Sequence, residues 1–312
     1  MLYINKTDTF LFIRRNTLSN AMRAILFSSI VLLGYTTLLP FVLAQQPAQE
    51  LPESVVIAGL WRSGEMVRYE LDEVIHIYRD GELLEERTQS TLVHIDVAAR
   101  RPGDSYILLY QVLETNAPLF NDAELDRHMY GFLNDGIVIH TDRFGGFNFS
   151  SNMDELHSHF QSAVRELDRQ GHWEQRSDLR EQLEAYYTDV SLFESLLLRD
   201  MKFMFGLHGV EVIPDDVFIY DTWQENPWGE PLSSQGRLFV EDYDEENMLL
   251  LVRNEVAMDE ADIAESGISL KETQSYSIQA RNGWLHEVRL DDEMIWGGFI
   301  RTRTLTIKKT DL

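Results

Sequence analysis

Apolar residues between positions 151 and 206 recur in steps of three and four, the spacing of amphipathic helices. One stripe consists of Leu156, Phe160, Val164 and Leu167, and a second runs from Leu179 to Met204. Gly171 and the stretch 189–191 interrupt these stripes. Because glycine commonly ends a helix, we predict two or three helices here rather than one rod.

Elsewhere apolar and polar residues alternate, which is the pattern of half-buried β-strands. In residues 65–78 the alternating apolar positions are Val67, Tyr69, Leu71, Ile75 and Ile77. An Asp80–Gly81 turn leads into a return strand, and similar runs bring the total to roughly ten strands. We therefore predict an α+β fold with one or two mostly antiparallel, curved sheets and the helical insert 151–206 packed on one face.

Two segments interrupt the strand pattern. For residues 116–126 we predict a loop, followed by a hairpin of strands 127–133 and 137–141 around Asn134, Asp135 and Gly136. Residues 224–236 (QENPWGEPLSSQG) contain two prolines and two glycines, which indicates a long surface loop.

The first 44 residues have the features of a secretory signal peptide. Arg14, Arg15 and Arg23 precede a 21-residue apolar run that ends in Val-Leu-Ala, so we predict cleavage between Ala44 and Gln45. An uncleaved membrane anchor is the alternative, since 21 apolar residues can span a bilayer. A second hypothesis places the true start at Met22. After cleavage we expect no stable membrane insertion, a linker at 45–60, and one exported domain at 61–312.

The chain is strongly acidic and contains no cysteine. Its net charge is −25, and cleavage after Ala44 changes this to −28, because four basic residues and one acidic residue are removed. Such a charge repels phosphate backbones, so we expect no nucleic-acid partner. Without cysteine the chain has neither disulfides nor a lipid-bearing cysteine. These features fit a periplasmic or secreted bacterial protein.

Motifs for catalysis are missing from the sequence. His157 and His159 are two residues apart on a helix and point away from each other, so they cannot share a metal. The acidic run from Asp242 resembles a calcium loop, but has Asn247 and Arg253 where the loop needs glycine and glutamate. We therefore assign no catalytic residue, no metal and no cofactor. A carboxylate- or metal-dependent hydrolase stays open as an alternative, since the many acidic residues offer many pairs.

Aromatic and methionine residues around the helices provide the candidate ligand site. Residues of this kind at helical spacing more often form core, but they also suit the walls of a cavity for an apolar ligand. Tryptophans in loops are candidates for exposed binding residues. The candidate residues are Phe147, Phe193, Met201, Met204, Trp223 and Trp228.

Two short patterns carry a resemblance to known proteins. Trp61-x-x-Gly64-Glu65-x-x-x-Tyr69, and Gly146 followed by residues 152–156 (NMDEL), resemble exported bacterial proteins of unknown function. In coarse plan, a curved sheet with helices on one side is similar to periplasmic lipid and lipoprotein carriers. This resemblance implies a carrier of a hydrophobic or amphipathic ligand. A protein-interaction or envelope-assembly module, using sheet edges and residues 224–236, is the alternative.

Overall fold

The computed structural model describes residues 54–101, 103, 105–120, 122–173, 177–225 and 231–311. All of them belong to one compact unit. The predicted signal region 1–44, the cleavage site at Ala44 and Gln45, and Trp228 lie outside the described residues.

Thirteen strands are present in the described part of the chain. They are β1 (Val55–Val56), β2 (Met66–Arg79), β3 (Glu82–Arg100), β4 (Tyr106–Thr115), β5 (Ile137–Thr141), β6 (Phe147–Ser150), β7 (Glu211–Val212), β8 (Val217–Glu225), β9 (Pro231–Asp244), β10 (Leu249–Ala257), β11 (Ile268–Gln279), β12 (Leu285–Trp296) and β13 (Phe299–Thr310).

Six helices accompany the strands in the same ranges. They are α1 (Ala123–Asp135), α2 (Met153–Arg169), α3 (Ser177–Thr188), α4 (Val190–Leu197), α5 (Arg199–Phe205) and α6 (Glu260–Ser266). The predicted insert 151–206 thus contains four helices. The break that we predicted near 189–191 is present, because Asp189 caps α4 by accepting hydrogen bonds from the N–H groups of Ser191 and Leu192.

Eleven of the strands form one sheet in the order β6-β5-β4-β3-β2-β13-β12-β11-β10-β9-β8, and β1 pairs separately with β7. Every pairing between described strands is antiparallel. The predicted α+β class with a mostly antiparallel sheet is therefore confirmed. Most neighbours in the sheet are also neighbours in sequence, while β2 and β13 join the two ends of the domain.

The helical insert covers one face of the sheet, which we call the inner face. Side chains on alternate strand positions, such as Val93, Ile95, Leu290 and Ile307, are fully buried there against helix residues. The Phe160 ring of α2 stacks on Phe193 of α4 at 5.1 Å, within the same cluster. The opposite outer face is largely polar, as is usual for an antiparallel sheet with one wet side.

The segment just before β2 is part of the fold. Ile57 and Trp61 are buried, and the Trp61 ring stacks on Trp284 with centroids 4.4 Å apart. The N–H of Ile57 donates to the carbonyl of Val210 at 3.0 Å. Within the predicted linker 45–60, residues 55–60 therefore pair and pack instead of standing free.

The structure corrects part of the prediction for 116–141: residues 137–141 form the predicted strand, as β5, but residues 127–133 do not form its partner. Residues 123–135 form α1, and Asp122 caps it by accepting from the N–H groups of Glu124 and Leu125. Leu125, Met129 and Leu133 are buried with four-residue spacing. Gly136 follows the helix with φ of 103°, so the Asn-Asp-Gly sequence ends a helix instead of joining two strands.

A second correction concerns the predicted loop 224–236. Residues 224–225 belong to β8 and residues 231–236 to β9, so the described part of this segment is a hairpin. Position 236 in β9 requires glycine, because the ring of Tyr220 lies over its backbone. A Cβ at Gly236 would lie 2.2 Å from a ring carbon. Glycine in a strand often marks such a close approach.

Candidate functional site

Side chains on the inner face change from apolar to polar and back to apolar along several neighbouring strands. On β11 the order is Ile278 and Tyr276, then Gln274 and Glu272, then Leu270. Directly paired residues of antiparallel strands point to the same face. The register therefore places the polar positions of neighbouring strands side by side, as one band across the sheet.

We call this band the polar belt. It consists of Glu73 (β2), Asn254 (β10), Glu272 and Gln274 (β11), Asp292 (β12) and Arg303 (β13). Glu73, Asn254 and Asp292 are buried, and the Arg303 side chain is only 15% exposed. Buried polar groups are normally hydrogen-bonded, so the belt is a network.

Neutral hydrogen bonds form one half of the belt. The Tyr220 hydroxyl donates to Asn254 Oδ1 at 2.8 Å, and Asn254 Nδ2 donates to Gln274 Oε1 at 3.3 Å. The Tyr276 hydroxyl donates to the same Gln274 oxygen at 2.6 Å. Gln274 Nε2 donates to the carboxylate of Glu272. The network thus links β8, β10 and β11.

Ion pairs form the other half. Arg303 Nε donates to Glu73 Oε1 at 2.5 Å, and Arg303 Nη1 lies 3.8 Å from Asp292 Oδ2. Arg301 Nη2 donates to Asp292 Oδ1 at 3.1 Å. From the helical insert, Arg199 of α5 approaches Glu73 Oε2 at 3.8 Å. A helix and three central strands are therefore joined through the buried carboxyl groups of Glu73 and Asp292 and their arginine partners.

Two carboxyl groups of the belt titrate abnormally. Burial raises the pKa of Glu272, and the nearby Asp292 carboxylate raises it further. Burial also raises the pKa of Asp292, against the lowering effect of Arg301 and Arg303. Such shifts occur at functional sites and in structural ion-pair networks alike.

Two guanidinium nitrogens at the belt, Arg303 Nη2 and Arg301 Nε, are buried and have no hydrogen-bond partner among the described residues. An unsatisfied buried donor costs about 1–3 kcal/mol. Unsatisfied groups of this kind indicate a bound water, ion or ligand as the missing partner.

Beyond the belt lies a second apolar area, which we call the distal zone. It consists of Ile75, Ile77, Leu270, Met294, Trp296 and Phe299, and register places these side chains on the inner face. Leu270 and Met294 are buried in a small cluster with Met258 and Ile268, on which Ile263 of α6 packs. The other four side chains are only half-buried. The helical insert thus covers this end of the face less completely than the main core.

The sheet edge formed by β8 is strongly apolar. Trp223 is 62% exposed, Ile219 56% and Phe218 52%. Among the described strands, β8 has β9 as its one neighbour. This edge combines exposed apolar side chains with main-chain groups that have no strand on their other side, although the N–H of Val217 donates to Asp216 Oδ1 at 2.8 Å.

The outer face carries a polar groove of about 370 Å³. It is lined by Lys271, Thr273, Asp291, Glu293, Thr302 and Thr304, together with residues of the belt strands. Thr304 and Arg289 both donate to Asp291. The lining is polar and internally paired, so the groove does not suit an apolar ligand.

The five described residues of the set predicted to bind ligand do not form one site. Phe193, Met201 and Met204 are buried in the main core. Phe147 is exposed on β6 and Trp223 is exposed on β8, at opposite edges of the sheet. The described members of the set therefore divide into core residues and two separate surface residues.

Sequence reasoning did not find the polar belt. Its strongest ion pair joins Arg303 to Glu73, which are 230 positions apart, so only the strand register brings them together. A local signal was nevertheless present. In β11 the inner-face positions read Ile, Leu, Glu, Gln, Tyr and Ile, which places two polar residues inside an otherwise apolar stripe.

Two general features limit the kinds of site in the described ranges. No described helix has the length and apolar character needed to cross a membrane. Within residues 54–311, gaps excepted, no three histidine, aspartate or glutamate side chains are grouped to hold a metal ion.

Comparison with protein-family models and with curated proteins finds no match. Among solved structures, a chain described as "Lipid-protein interactions in lipovitellin" is similar, with a TM-score of 0.42 and 9% sequence identity. The similar region covers 80% of this chain and 25% of that chain. The present chain thus corresponds to about a quarter of the lipovitellin chain, and the similarity is a distant one between folds.

Proposed function

We propose that this protein is an exported, non-enzymatic binding protein of the bacterial envelope that carries an amphipathic ligand on the inner face of its sheet. The observation that carries the proposal is the polar belt next to the half-buried distal zone. An apolar surface beside a few convergent polar groups is the usual composition of a small-molecule site.

The distal zone provides the place for an apolar chain. Ile75, Ile77, Trp296 and Phe299 are half-buried, so a hydrocarbon chain lying on them would remove further apolar surface from water. The Trp296 and Phe299 rings are stacked at 5.7 Å and present a flat apolar surface. Met258 and Met294, beneath α6, are side chains that adapt easily to different shapes.

The belt provides the partners for a polar headgroup. Arg301 Nε and Arg303 Nη2 need acceptors, and an ester or phosphoryl oxygen would supply them. Three carboxyl groups, Glu73, Glu272 and Asp292, are matched by the three guanidinium groups of Arg199, Arg301 and Arg303, so the belt has no surplus of positive charge. We therefore infer a zwitterionic or uncharged headgroup in preference to an anionic one.

Mass spectrometry tests this function directly. Protein purified from its native compartment should release an amphipathic molecule into an organic extract, and N-terminal sequencing should begin at Gln45. The variant Ile77→Asn, in the distal zone, should lose the ligand. Its matched control is Val74→Asn, because Val74 is also half-buried on β2 but points to the outer face.

Two results would count against the carrier. One is an extract without any organic ligand, together with a melting temperature that added phosphatidylethanolamine or lysophospholipid does not raise. The other is equal loss of ligand from both variants, since a site on the inner face must distinguish them.

A further inference from the structure

The edge strand β8 lacks most of the features that normally prevent an edge from pairing. Natural edges are protected by charged side chains, especially lysine, by proline or by a bulge, and of these β8 has only the acidic Asp221 and Glu225. Residues 217–225 read VFIYDTWQE, with no basic residue, proline or glycine. The pairing of β8 with β9 runs through nine residue pairs without a register shift. One side of β8 is thus a straight template for a further strand.

We propose that β8 binds an extended segment of a partner protein as an added β-strand. The N–H and C=O groups on the free side of an edge are satisfied by the matching groups of another polypeptide strand. A lipid chain has no row of donors and acceptors, so it cannot satisfy them. This inference is independent of the proposed carrier function, because β8 is a sheet edge and the carrier site lies on the inner face.

Charge indicates what kind of segment fits. Asp215 and Asp216 precede β8, Asp221 lies within it and Glu225 ends it, with no basic residue between positions 213 and 225. Opposite charges across paired strands stabilise and like charges destabilise. The partner segment therefore carries lysine or arginine. A second copy of this chain would place these carboxylates near each other, in molecules that already repel through a net charge of −25.

Side-chain alternation completes the description of the partner. Val217, Ile219, Asp221 and Trp223 point to one face of β8, since strand side chains alternate. The partner segment should present apolar residues beside Val217, Ile219 and Trp223, and a basic residue beside Asp221. Cross-strand neighbours of this kind fix both the register and the selectivity.

The test uses the full mature protein and two fluorescent peptides of nine residues, the length of β8. One peptide alternates valine with lysine and the other alternates valine with glutamate. We expect the lysine peptide to bind more tightly, to bind less tightly as salt rises, and to slow amide hydrogen exchange in residues 217–225.

Two variants locate the binding. Ile219→Lys should lower the affinity for the lysine peptide by roughly fivefold, because like charges on directly opposite strand positions destabilise the pairing. Ile213→Lys is the matched control, because Ile213 is 49% exposed but lies outside β8, and it should bind as the parent does. If Ile219→Lys does not fold, Asp221→Lys replaces it and should reverse the preference between the two peptides.

Several results would overturn the proposal. One is peptide binding that does not slow amide hydrogen exchange in residues 217–225. Another is an affinity for the lysine peptide that is the same in Ile219→Lys and in the parent protein. Sedimentation that shows a dimer, dissociated by Ile219→Lys, would instead assign the edge to a second copy of the chain.

Discussion

Glu272 on β11 and Asp292 on β12 are direct cross-strand partners, so two carboxyl groups face each other on the inner side of the sheet. Like charges in this position destabilise a strand pair. Arg301 and Arg303 contact Asp292, whereas Glu272 accepts a hydrogen bond from the side-chain amide of Gln274. Burial raises the pKa of Glu272, and the opposed Asp292 carboxylate raises it further.

Replacement of Glu272 by glutamine should stabilise the protein at neutral pH by about 0.5 kcal/mol, because it removes one of two opposed charges. A raised pKa in the folded state means that the contribution of Glu272 to stability is most favourable at low pH and is lost as pH rises through that pKa. The difference in unfolding free energy between Glu272→Gln and the wild type should therefore grow as pH rises. Urea unfolding of both proteins between pH 4 and 8 measures this difference.

The control for this experiment is Glu114→Gln, because Glu114 is exposed on β4 and its cross-strand partner is the apolar Leu92. It should change stability little at any pH. An advantage of Glu272→Gln that is constant or shrinks as pH rises would contradict the interpretation of the carboxyl pair.

His208 should make the protein sensitive to acid. Burial lowers its pKa from 6.5 to about 4, so the folded state holds the imidazole neutral while the unfolded chain takes up a proton. This group alone stabilises the fold above pH 6.5 by roughly 3 kcal/mol, which is lost as pH falls to about 4. Urea unfolding of His208→Gln should show a lower stability at pH 7 but a flatter decline below it.

The exposed His159, stacked on Phe132, gives the matched variant for this measurement. His159→Gln should keep the acid-dependent decline of the wild type. If His208→Gln declines as steeply as the wild type, another group causes the acid sensitivity.

Gly236→Ala should destabilise the protein by about 1–2 kcal/mol, because the new methyl group would overlap the ring of Tyr220. In a Tyr220→Ala background most of this loss should vanish, since the two positions act through one contact. Thermal and urea unfolding of the four proteins gives the coupling energy. Gly131→Ala, in the open middle of α1, should instead stabilise by about 0.5–1 kcal/mol. Additive effects at positions 236 and 220 would exclude the ring contact as the cause.

Asp122→Ala should cost about 2 kcal/mol or more of unfolding free energy. The buried Asp122 carboxylate caps α1 through two N–H groups and also lies 2.7 Å from His172 Nε2. Asp259 starts α6 without any side-chain capping bond, so Asp259→Ala should change stability by less than about 0.5 kcal/mol. Chemical denaturation of both variants compares a capping residue that forms side-chain hydrogen bonds with one that forms none. Equal losses of unfolding free energy would contradict this assignment.

Local patterns in the sequence predicted the sheet, the helical insert and its break at Asp189, because these depend on spacing alone. They failed for α1, where the Asn-Asp-Gly signal of a hairpin outweighed the four-residue spacing of Leu125, Met129 and Leu133. The side chain of Asn152, just before α2, makes no capping bond and instead accepts from the N–H of Val138. That contact depends on where β5 lies relative to α2, and local sequence does not show that position.

The polar belt could not be predicted for a different reason. Each of its residues reads as an ordinary polar position in a strand, and their meeting depends on the register of strands far apart in the chain. The pairing of β2 with β13 is the clearest case, because nothing near Glu73 indicates that Arg303 will contact it.

The position of β13 has a consequence for how the protein reaches its folded state. β2 to β6 and β8 to β12 are two runs of sequential neighbours, and β13 alone joins them. The middle of the sheet therefore cannot close until β13 has been made. Since pairing between distant segments is slow to form, a chain still in synthesis holds two unfinished half-sheets. The two half-sheets become one sheet only when β13 pairs with β12 on one side and with β2 on the other.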